Sequence, residues 1–141
     1  MENEKFSVKL SLRIDWSEMD LFGHVNNVAF FKYIQSARVN YWLETGLSEM
    51  YSKEKIGPIL ASTHMDFKAP LFFPGNIEVQ TRMDSIKNSS FCLHHRILND
   101  KNQMVAEARD VIVVFDFTKK EKVLFPEKLK NAVEQLEGKK F

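Results

Sequence analysis

One stretch of the chain decides how the rest is interpreted: Arg13-Ile14-Asp15-Trp16-Ser17-Glu18-Met19-Asp20-Leu21-Phe22-Gly23-His24-Val25-Asn26-Asn27. It puts acidic residues, a glycine, a histidine and two possible helix caps between a predicted strand and a predicted helix. Asparagine is a favoured N-cap, because its side-chain oxygen accepts a hydrogen bond from the first turn of a helix. Asn26 or Asn27 can therefore begin a helix whose first amides are directed at the preceding loop.

The segments on either side have clear periodicity. Residues 6–14 alternate apolar and polar side chains, which is typical of a half-buried strand. Residues from about 27 to 45 predict a helix of about five turns, closed by Gly46, because glycine commonly ends helices. Apolar side chains occupy nearly all sides of this helix, so it must be wrapped by other elements.

The remainder of the chain supplies the wrapping. Turn residues separate four strand-like runs, which are predicted as one antiparallel meander: 58–69, 76–87, 90–99 and 103–117. Residues 126–136 predict a short amphipathic helix that begins at Pro126. The pattern favours an α+β fold in one domain spanning 1–141, with a curved antiparallel sheet of about five strands around a long central helix.

Composition excludes several classes of function. The 141 residues carry 20 basic and 19 acidic side chains, so no overall charge steers the chain to nucleic acid. The longest apolar runs are about a strand long, far below the ~20 residues of a membrane helix, so no membrane insertion is expected. Acidic residues at the amino terminus and a single cysteine, Cys92, favour a cytoplasmic location.

The stretch from Trp16 to Asn27, continued by Phe30-Phe31-Lys32-Tyr33 and Ala37-Arg38, resembles the opening signature of a known family. The family is the 4-hydroxybenzoyl-CoA and long-chain acyl-CoA thioesterase branch of the hotdog superfamily. The similarity covers nearly the whole chain, and its weaker matches are Phe67-Lys68-Ala69-Pro70, Ser89-Ser90-Phe91 and Val113-Val114-Phe115-Asp116. The resemblance implies an acyl-CoA thioesterase that needs no cofactor, since coenzyme A is part of the substrate.

By the same resemblance, Asp20 is the catalytic carboxylate and the backbone amide of Asn27 is the donor to the thioester oxygen. A helix start carries about half a positive charge, which suits an oxyanion. A carboxylate can attack the thioester or activate water, and the sequence leaves both mechanisms open. Glu18 stands where relatives often have aspartate and is not the candidate.

Substrate-binding candidates fall in two groups. Gly23, His24, Asn26 and Val28 surround the proposed catalytic pair, and Lys87, Ser89 and Ser90 occupy a hairpin that in relatives lies near the coenzyme entrance. No metal site is predicted, because adjacent strand residues such as His94 and His95 face opposite sides of a sheet. Related proteins pair their sheets edge to edge, so a homodimer or homotetramer is expected.

Two other functions are considered. A hotdog hydratase or dehydratase would use an aspartate and a histidine together, as Asp20 and His24 suggest, but the spacing of this pair differs from the hydratase motif. A non-catalytic acyl-CoA-binding protein would keep the fold. Asp20 argues against it, because a carboxylate beside the site would repel a phosphate-bearing ligand.

Overall fold

A computed structural model describes residues 5–141, so the amino-terminal residues 1–4 considered above lie outside the described residues. The strands are β1 (Val8–Arg13), β2 (Ile56–Phe67), β3 (Asn76–Ile86), β4 (Ser90–Leu98), β5 (Met104–Asp116) and β6 (Glu121–Lys122). The helices are α1 (Asn27–Thr45), α2 (Leu47–Glu54) and α3 (Glu127–Glu137), and a 3₁₀ turn covers Trp16–Glu18. The predicted α+β composition is confirmed, whereas α2 and the short β6 were not predicted.

The sheet is antiparallel, with the strand order β1-β3-β4-β5-β2 and with β6 paired to β5. Strands β3, β4 and β5 form a meander, but β2 lies at the far edge beside β5. The prediction of one continuous meander was therefore wrong. Two strands separate β2 from β3, and residues 68–75 cross the end of the sheet between them, which a tight hairpin could not do.

Helix α1 begins and ends where the sequence predicts. The Asn26 side chain caps it by accepting a hydrogen bond from the Ala29 amide, and Gly46 ends it in the left-handed conformation at φ 87°. The buried side chains of α1 lie on one face of the helix, which packs against the curved sheet: Ala29, Phe30, Tyr33, Ile34, Ala37, Tyr41 and Thr45. The apolar side chains on its other face are exposed: Val28, Phe31, Val39 and Leu43. The expectation that other elements wrap nearly all sides of α1 was therefore wrong within one chain. No helix in residues 5–141 is long and apolar enough to cross a membrane.

A row of polar side chains crosses the sheet on the face towards α1; we call it the polar belt. It consists of Thr63, Thr81, His95 and Asp110 on four strands and Arg38 on α1. Asp110 Oδ2 lies 2.7 Å from Arg38 and 2.8 Å from His95 Nε2, and Oδ1 accepts from the Thr63 hydroxyl at 2.7 Å. The Thr81 hydroxyl lies 2.8 Å from His95 Nδ1. Thr81, His95 and Asp110 are buried, and since each of them has a polar partner, their burial costs little.

The polar belt divides the hydrophobic core into two clusters. The first adjoins the loop before α1 and includes Ile14, Val25, Phe30, Val79, Ile97 and Ala108. The second lies under α3 and includes Tyr41, Met83, Leu93, Ile112, Leu129 and Val133. On α1 and on β3, β4 and β5, the belt residue stands between a member of each cluster. The candidate site is next to the first cluster.

Candidate active site

The loop before α1 is folded as a small hairpin, which we call the aspartate hairpin (residues 18–26). The Asn26 amide donates to the Glu18 carbonyl at 2.9 Å, and Met19 and Val25 form an antiparallel bridge. The Asp20 amide then donates to the His24 carbonyl at 2.7 Å. Gly23 turns the chain at φ 87°, a conformation that glycine adopts without a steric penalty. This pairing holds Asp20 near the start of α1.

The Asp20 side chain accepts hydrogen bonds from its own hairpin. Its Oδ1 accepts from the Phe22 amide at 2.8 Å and from the His24 amide at 3.1 Å. The His24 amide hydrogen bond, helped by that of Phe22, lowers the pKa of the Asp20 carboxyl below its ordinary 3.8. The exposed carboxylate is therefore ionised at neutral pH and can act as a base or a nucleophile.

The start of α1 faces the same space. The side-chain oxygen of Asn26 accepts a hydrogen bond from the Ala29 amide at 2.8 Å, and its side-chain nitrogen donates to the Glu18 carbonyl at 2.8 Å. Among residues 5–141, the amide of Asn27 donates to no protein acceptor. It is one of the free amides at the positive end of a helix, where a developing negative charge is favoured.

Asp20 and Asn27 line one open cavity of about 370 Å³. Its other lining residues are His24, Val25, Phe30, Phe67, Lys68, Ala69 and Pro70. A second depression of about 660 Å³ lies on the other side of the hairpin and also has Asp20 in its wall, together with Trp16, Met19, Gly23 and Phe73. Of the residues proposed from sequence, the first cavity therefore brings together Asp20, His24 and Asn27.

Three further candidates lie next to this cavity without lining it. Gly23 faces the second depression, Asn26 is engaged as the helix cap, and Val28 is exposed on the first turn of α1. His24 packs its ring edge-on against Phe72, with the ring centroids 5.3 Å apart. The contact with Phe72 therefore orients the His24 ring, while the hairpin holds the His24 backbone beside Asp20.

The other group of candidates lies at the opposite end of the sheet. Lys87, Ser89 and Ser90 are at the β3–β4 hairpin, whereas the aspartate hairpin adjoins the end where β4 reaches Leu98. The nine residues of β4 separate the two ends by about 27 Å at the usual rise per residue. Within one chain these residues do not meet Asp20, and their role in binding remains a prediction.

The cavity wall includes residues that the sequence analysis did not assign to the site. Phe67 is the last residue of β2 and Lys68 follows it, whereas Phe30 comes from the first turn of α1. The match at Phe67-Lys68-Ala69-Pro70 was the signal that could have identified this wall. Lys68 places a positive charge at the rim, which suits an anionic ligand.

The two strand histidines face opposite sides of β4, as predicted. His95 belongs to the polar belt, and His94 Nε2 lies 2.6 Å from Glu107 on the outer face of the sheet. Within residues 5–141, no group of three or more His, Cys, Asp or Glu side chains is arranged to hold a metal ion. Asp20 and the start of α1 bring a carboxylate and a helix amide to the cavity.

Comparison with known proteins shows the family of this chain. Residues 14–133 match the thioesterase-like superfamily. The chain belongs to this superfamily. Among relatives in sequence, the uncharacterized protein YsmA of Bacillus subtilis is 29% identical over 90 residues, which span 64% of this chain and 58% of YsmA. The acyl-CoA thioester hydrolase YbgC of Escherichia coli O157:H7 is 22% identical over 106 residues, which span 74% of this chain and 79% of YbgC.

Solved structures of this thioesterase-like fold are also similar. A thioesterase from Thermus thermophilus, crystallised with coenzyme A and Zn, superposes with a TM-score of 0.85 at 21% identity. The superposition covers 96% of this chain and 98% of that thioesterase. The architecture predicted from the resemblance, a hotdog fold with a sheet curled around a long helix, is confirmed.

Proposed function

We propose that this member of the thioesterase-like superfamily hydrolyses the thioester of an acyl-coenzyme A to the free acid and coenzyme A. The observation that supports the proposal most directly is the shared cavity of Asp20 and the free Asn27 amide. A thioester carbonyl that accepts from the amide becomes more electrophilic, and the helix start stabilises the oxyanion that forms. In one route Asp20 attacks the carbonyl carbon and expels the coenzyme A thiolate, and water then hydrolyses the mixed anhydride to the free acid. In the other route Asp20 takes a proton from a water that attacks the carbon, and the thiolate leaves as the tetrahedral intermediate collapses.

The rest of the substrate extends from the cavity. Lys68 and His24 line the cavity and offer polar contacts at its rim. The pantetheine arm and the phosphates of the substrate can extend from the thioester past these two side chains towards solvent. The names of the YbgC and Thermus relatives, one an acyl-CoA thioester hydrolase and the other bound to coenzyme A, support this substrate class. We place the activity in the cytoplasm.

We also propose that the active form is at least a dimer. Strand β2 is 12 residues long and lies at the edge of the sheet, where an unpaired strand tends to pair with another chain. Its exposed side chains include the apolar Ile59, Leu60 and Phe67. If two copies of β2 pair antiparallel, the hairpin of one copy that carries Lys87 approaches the Asp20 end of the other. Light scattering is expected to show a dimer or tetramer, and an active monomer would contradict this arrangement.

Asp20→Asn tests the carboxylate. Asparagine keeps an oxygen that can accept from the Phe22 and His24 amides, so the hairpin is expected to persist while the base and nucleophile are lost. Turnover should fall at least about a hundredfold with binding of acyl-CoA retained. Thiol release from short, medium, long and aromatic acyl-CoAs is the assay, and Asp100→Asn in the exposed β4–β5 turn is the control. Unchanged turnover in Asp20→Asn would refute the assignment.

Asn27→Pro tests the amide donor without removing the helix. Asn27 is the first residue of α1, a position where proline is well tolerated because its N–H is not used by the helix. Asn26 before it has φ −71° and ψ 156°, which is compatible with a following proline. The loss of this donor should lower turnover about 10²- to 10³-fold. Asn27→Ala keeps the amide and should stay near the wild-type rate.

Thiol release, the absorbance of an enoyl-CoA and acyl-CoA binding together separate hydrolysis from the two alternative functions. A hydratase would change the absorbance of an enoyl-CoA without releasing thiol. A binding protein would retain acyl-CoA without turnover across the whole panel. Either result with the wild-type chain would refute hydrolysis.

A further inference from the structure

Helix α1 carries two buried tyrosines, each with its hydroxyl on a glutamate from another element. The Tyr33 hydroxyl donates to Glu18 Oε1 at 2.6 Å, beside the aspartate hairpin. The Tyr41 hydroxyl, eight residues further along the helix, donates to Glu137 at the end of α3. The two pairs have the same chemistry on the same helix, but only the first of them adjoins the candidate site.

Glu18 connects three parts of the structure around the site. Its Oε1 accepts from the Tyr33 hydroxyl and also from the Asp15 amide at 2.9 Å, which completes a capping box on the 3₁₀ turn. Its Oε2 lies 3.6 Å from the Lys32 ammonium group. Its carbonyl accepts from both the amide and the side chain of Asn26, the cap of α1.

The contacts of Glu18 determine where the Asp20 carboxylate and the Asn27 amide lie. Glu18 and Asn26 form the base of the aspartate hairpin, opposite its turn. Glu18 lies two residues before Asp20, and Asn26 lies one residue before Asn27. Burial and the Glu18 carboxylate raise the pKa of the Tyr33 hydroxyl, so it stays protonated as a donor at neutral pH. The buried ring of Tyr33 is held by the first core cluster, so its hydroxyl is a fixed point for the carboxylate.

We infer that Glu18 and Tyr33 are positioning residues, which set the placement of the Asp20 carboxylate relative to the Asn27 amide. The inference rests on the proposed thioester hydrolysis and adds to it the origin of the catalytic geometry. Neither residue lines the cavity, so both act through the aspartate hairpin. Their removal should lower kcat with little change in KM, because substrate still binds while the reacting groups are misplaced.

Glu18→Ala and Tyr33→Phe test the inference. Glu18→Ala is expected to lower kcat about tenfold or more, since a misplacement of about 1 Å can cost as much as about a hundredfold. Tyr33→Phe removes one of the donors to Glu18, so its kcat should lie between those of Glu18→Ala and the wild type. The double variant should be no slower than Glu18→Ala, because both changes disrupt the same contact. Glu18→Gln keeps acceptor oxygen for Tyr33 and Asp15 and should retain most of the activity.

The second pair supplies a matched control. Tyr41→Phe removes the same kind of buried hydroxyl–carboxylate contact from the same helix, so it should lower the melting temperature as Tyr33→Phe does and leave kcat unchanged. If Tyr33→Phe and Glu18→Ala lower the melting temperature but keep the wild-type kcat, the two residues are merely structural and the inference is overturned.

Hydrogen exchange makes the test independent of turnover. The amides of Asp20 and Asn26 donate across the hairpin to the carbonyls of His24 and Glu18. Both amides should exchange faster in Glu18→Ala than in Tyr41→Phe, because the aspartate hairpin is loosened in the first variant alone. If the wild-type chain hydrolyses no thioester but this difference is present, hydrolysis fails while the positioning of the hairpin stands. Equal exchange in the two variants would overturn the positioning role as well.

Discussion

Asp110→Asn is expected to destabilise the fold by about 3 kcal/mol, at the lower end of the range for breaking a buried ion pair. The Asp110 side chain is fully buried, and its two oxygens serve Arg38, Thr63 and His95. Asparagine replaces one of these oxygens with an amide nitrogen that donates instead of accepting. Arg38 keeps 14% of its side chain exposed, so water compensates part of its lost partner and the lower end of the range applies.

Urea and thermal unfolding at pH 7 measure this loss, with protein concentration fixed because association shifts apparent stability. For a chain of this size each kcal/mol moves the melting temperature by roughly 3–4 °C, so a fall of about 10 °C is expected. Asp84→Asn is the control. Its carboxylate pairs with Arg109 at 3.1 Å and with Arg82 at 3.3 Å on the outer face and is 32% exposed. Because water screens these pairs, its loss should stay at or below about 1 kcal/mol.

The pH dependence gives the same prediction a second test. Burial alone would raise the pKa of Asp110, but the hydrogen bonds from His95 and Thr63 and the charge of Arg38 lower it below the ordinary 3.8. A lowered carboxyl pKa contributes stability that is fully present above the ordinary value and is lost as the pH falls through the lowered one. The difference between wild type and Asp110→Asn should therefore narrow below pH 3.8. A loss below about 1 kcal/mol at pH 7 would refute the reasoning, because it would mean that no buried ion pair is broken.

Three further outcomes are expected. The lowered pKa of Asp20 keeps its carboxylate ionised, so kcat/KM should stay constant from pH 8 down to about 5, and an acidic limb near pH 6 would show that another group limits turnover. Lys87→Ala should raise KM at low salt and change kcat little. Lys9→Ala, on the edge strand β1, is the control and should leave KM unchanged. Equal KM values for the two variants would mean that Lys87 is an ordinary surface residue. Treatment with a chelator should leave the hydrolysis rate unchanged, and loss of rate restored by zinc would contradict a carboxylate mechanism.

The sequence predicted the elements better than their arrangement. Alternation and the Gly46 stop were enough to predict most of the strands and the extent of α1, because both depend on local patterns. The position of β2 beside β5 was missed, because the sequence of the connecting residues 68–75 does not indicate which strand they lead to. Helix α2 was missed because just two of its residues, Leu47 and Met50, are buried.

The candidate site was predictable where it is continuous in sequence. Asp20, His24 and Asn27 fall within one motif, and the structure places all three at one cavity. The part of the cavity wall formed by Phe67 and Lys68 lies at the end of β2, 40 residues or more after Asn27 in the chain. The contact between Glu18 and Tyr33 likewise depends on how α1 docks, so it could be recognised only after folding placed the two side chains together.

The polar belt affects which substitutions this domain can accept as its sequence evolves. Hydrogen bonds between fixed partners resist displacement more than interchangeable methyl groups do, so the belt acts as a partition between the two apolar compartments of the core. Under the proposed hydrolysis, side chains beside the aspartate hairpin can be enlarged or shortened to suit a different acyl group while the compartment under α3 keeps its packing. Such a division lets substrate range diversify without a matching loss of fold, and it predicts that tolerated substitutions concentrate on the Asp20 side of Asp110.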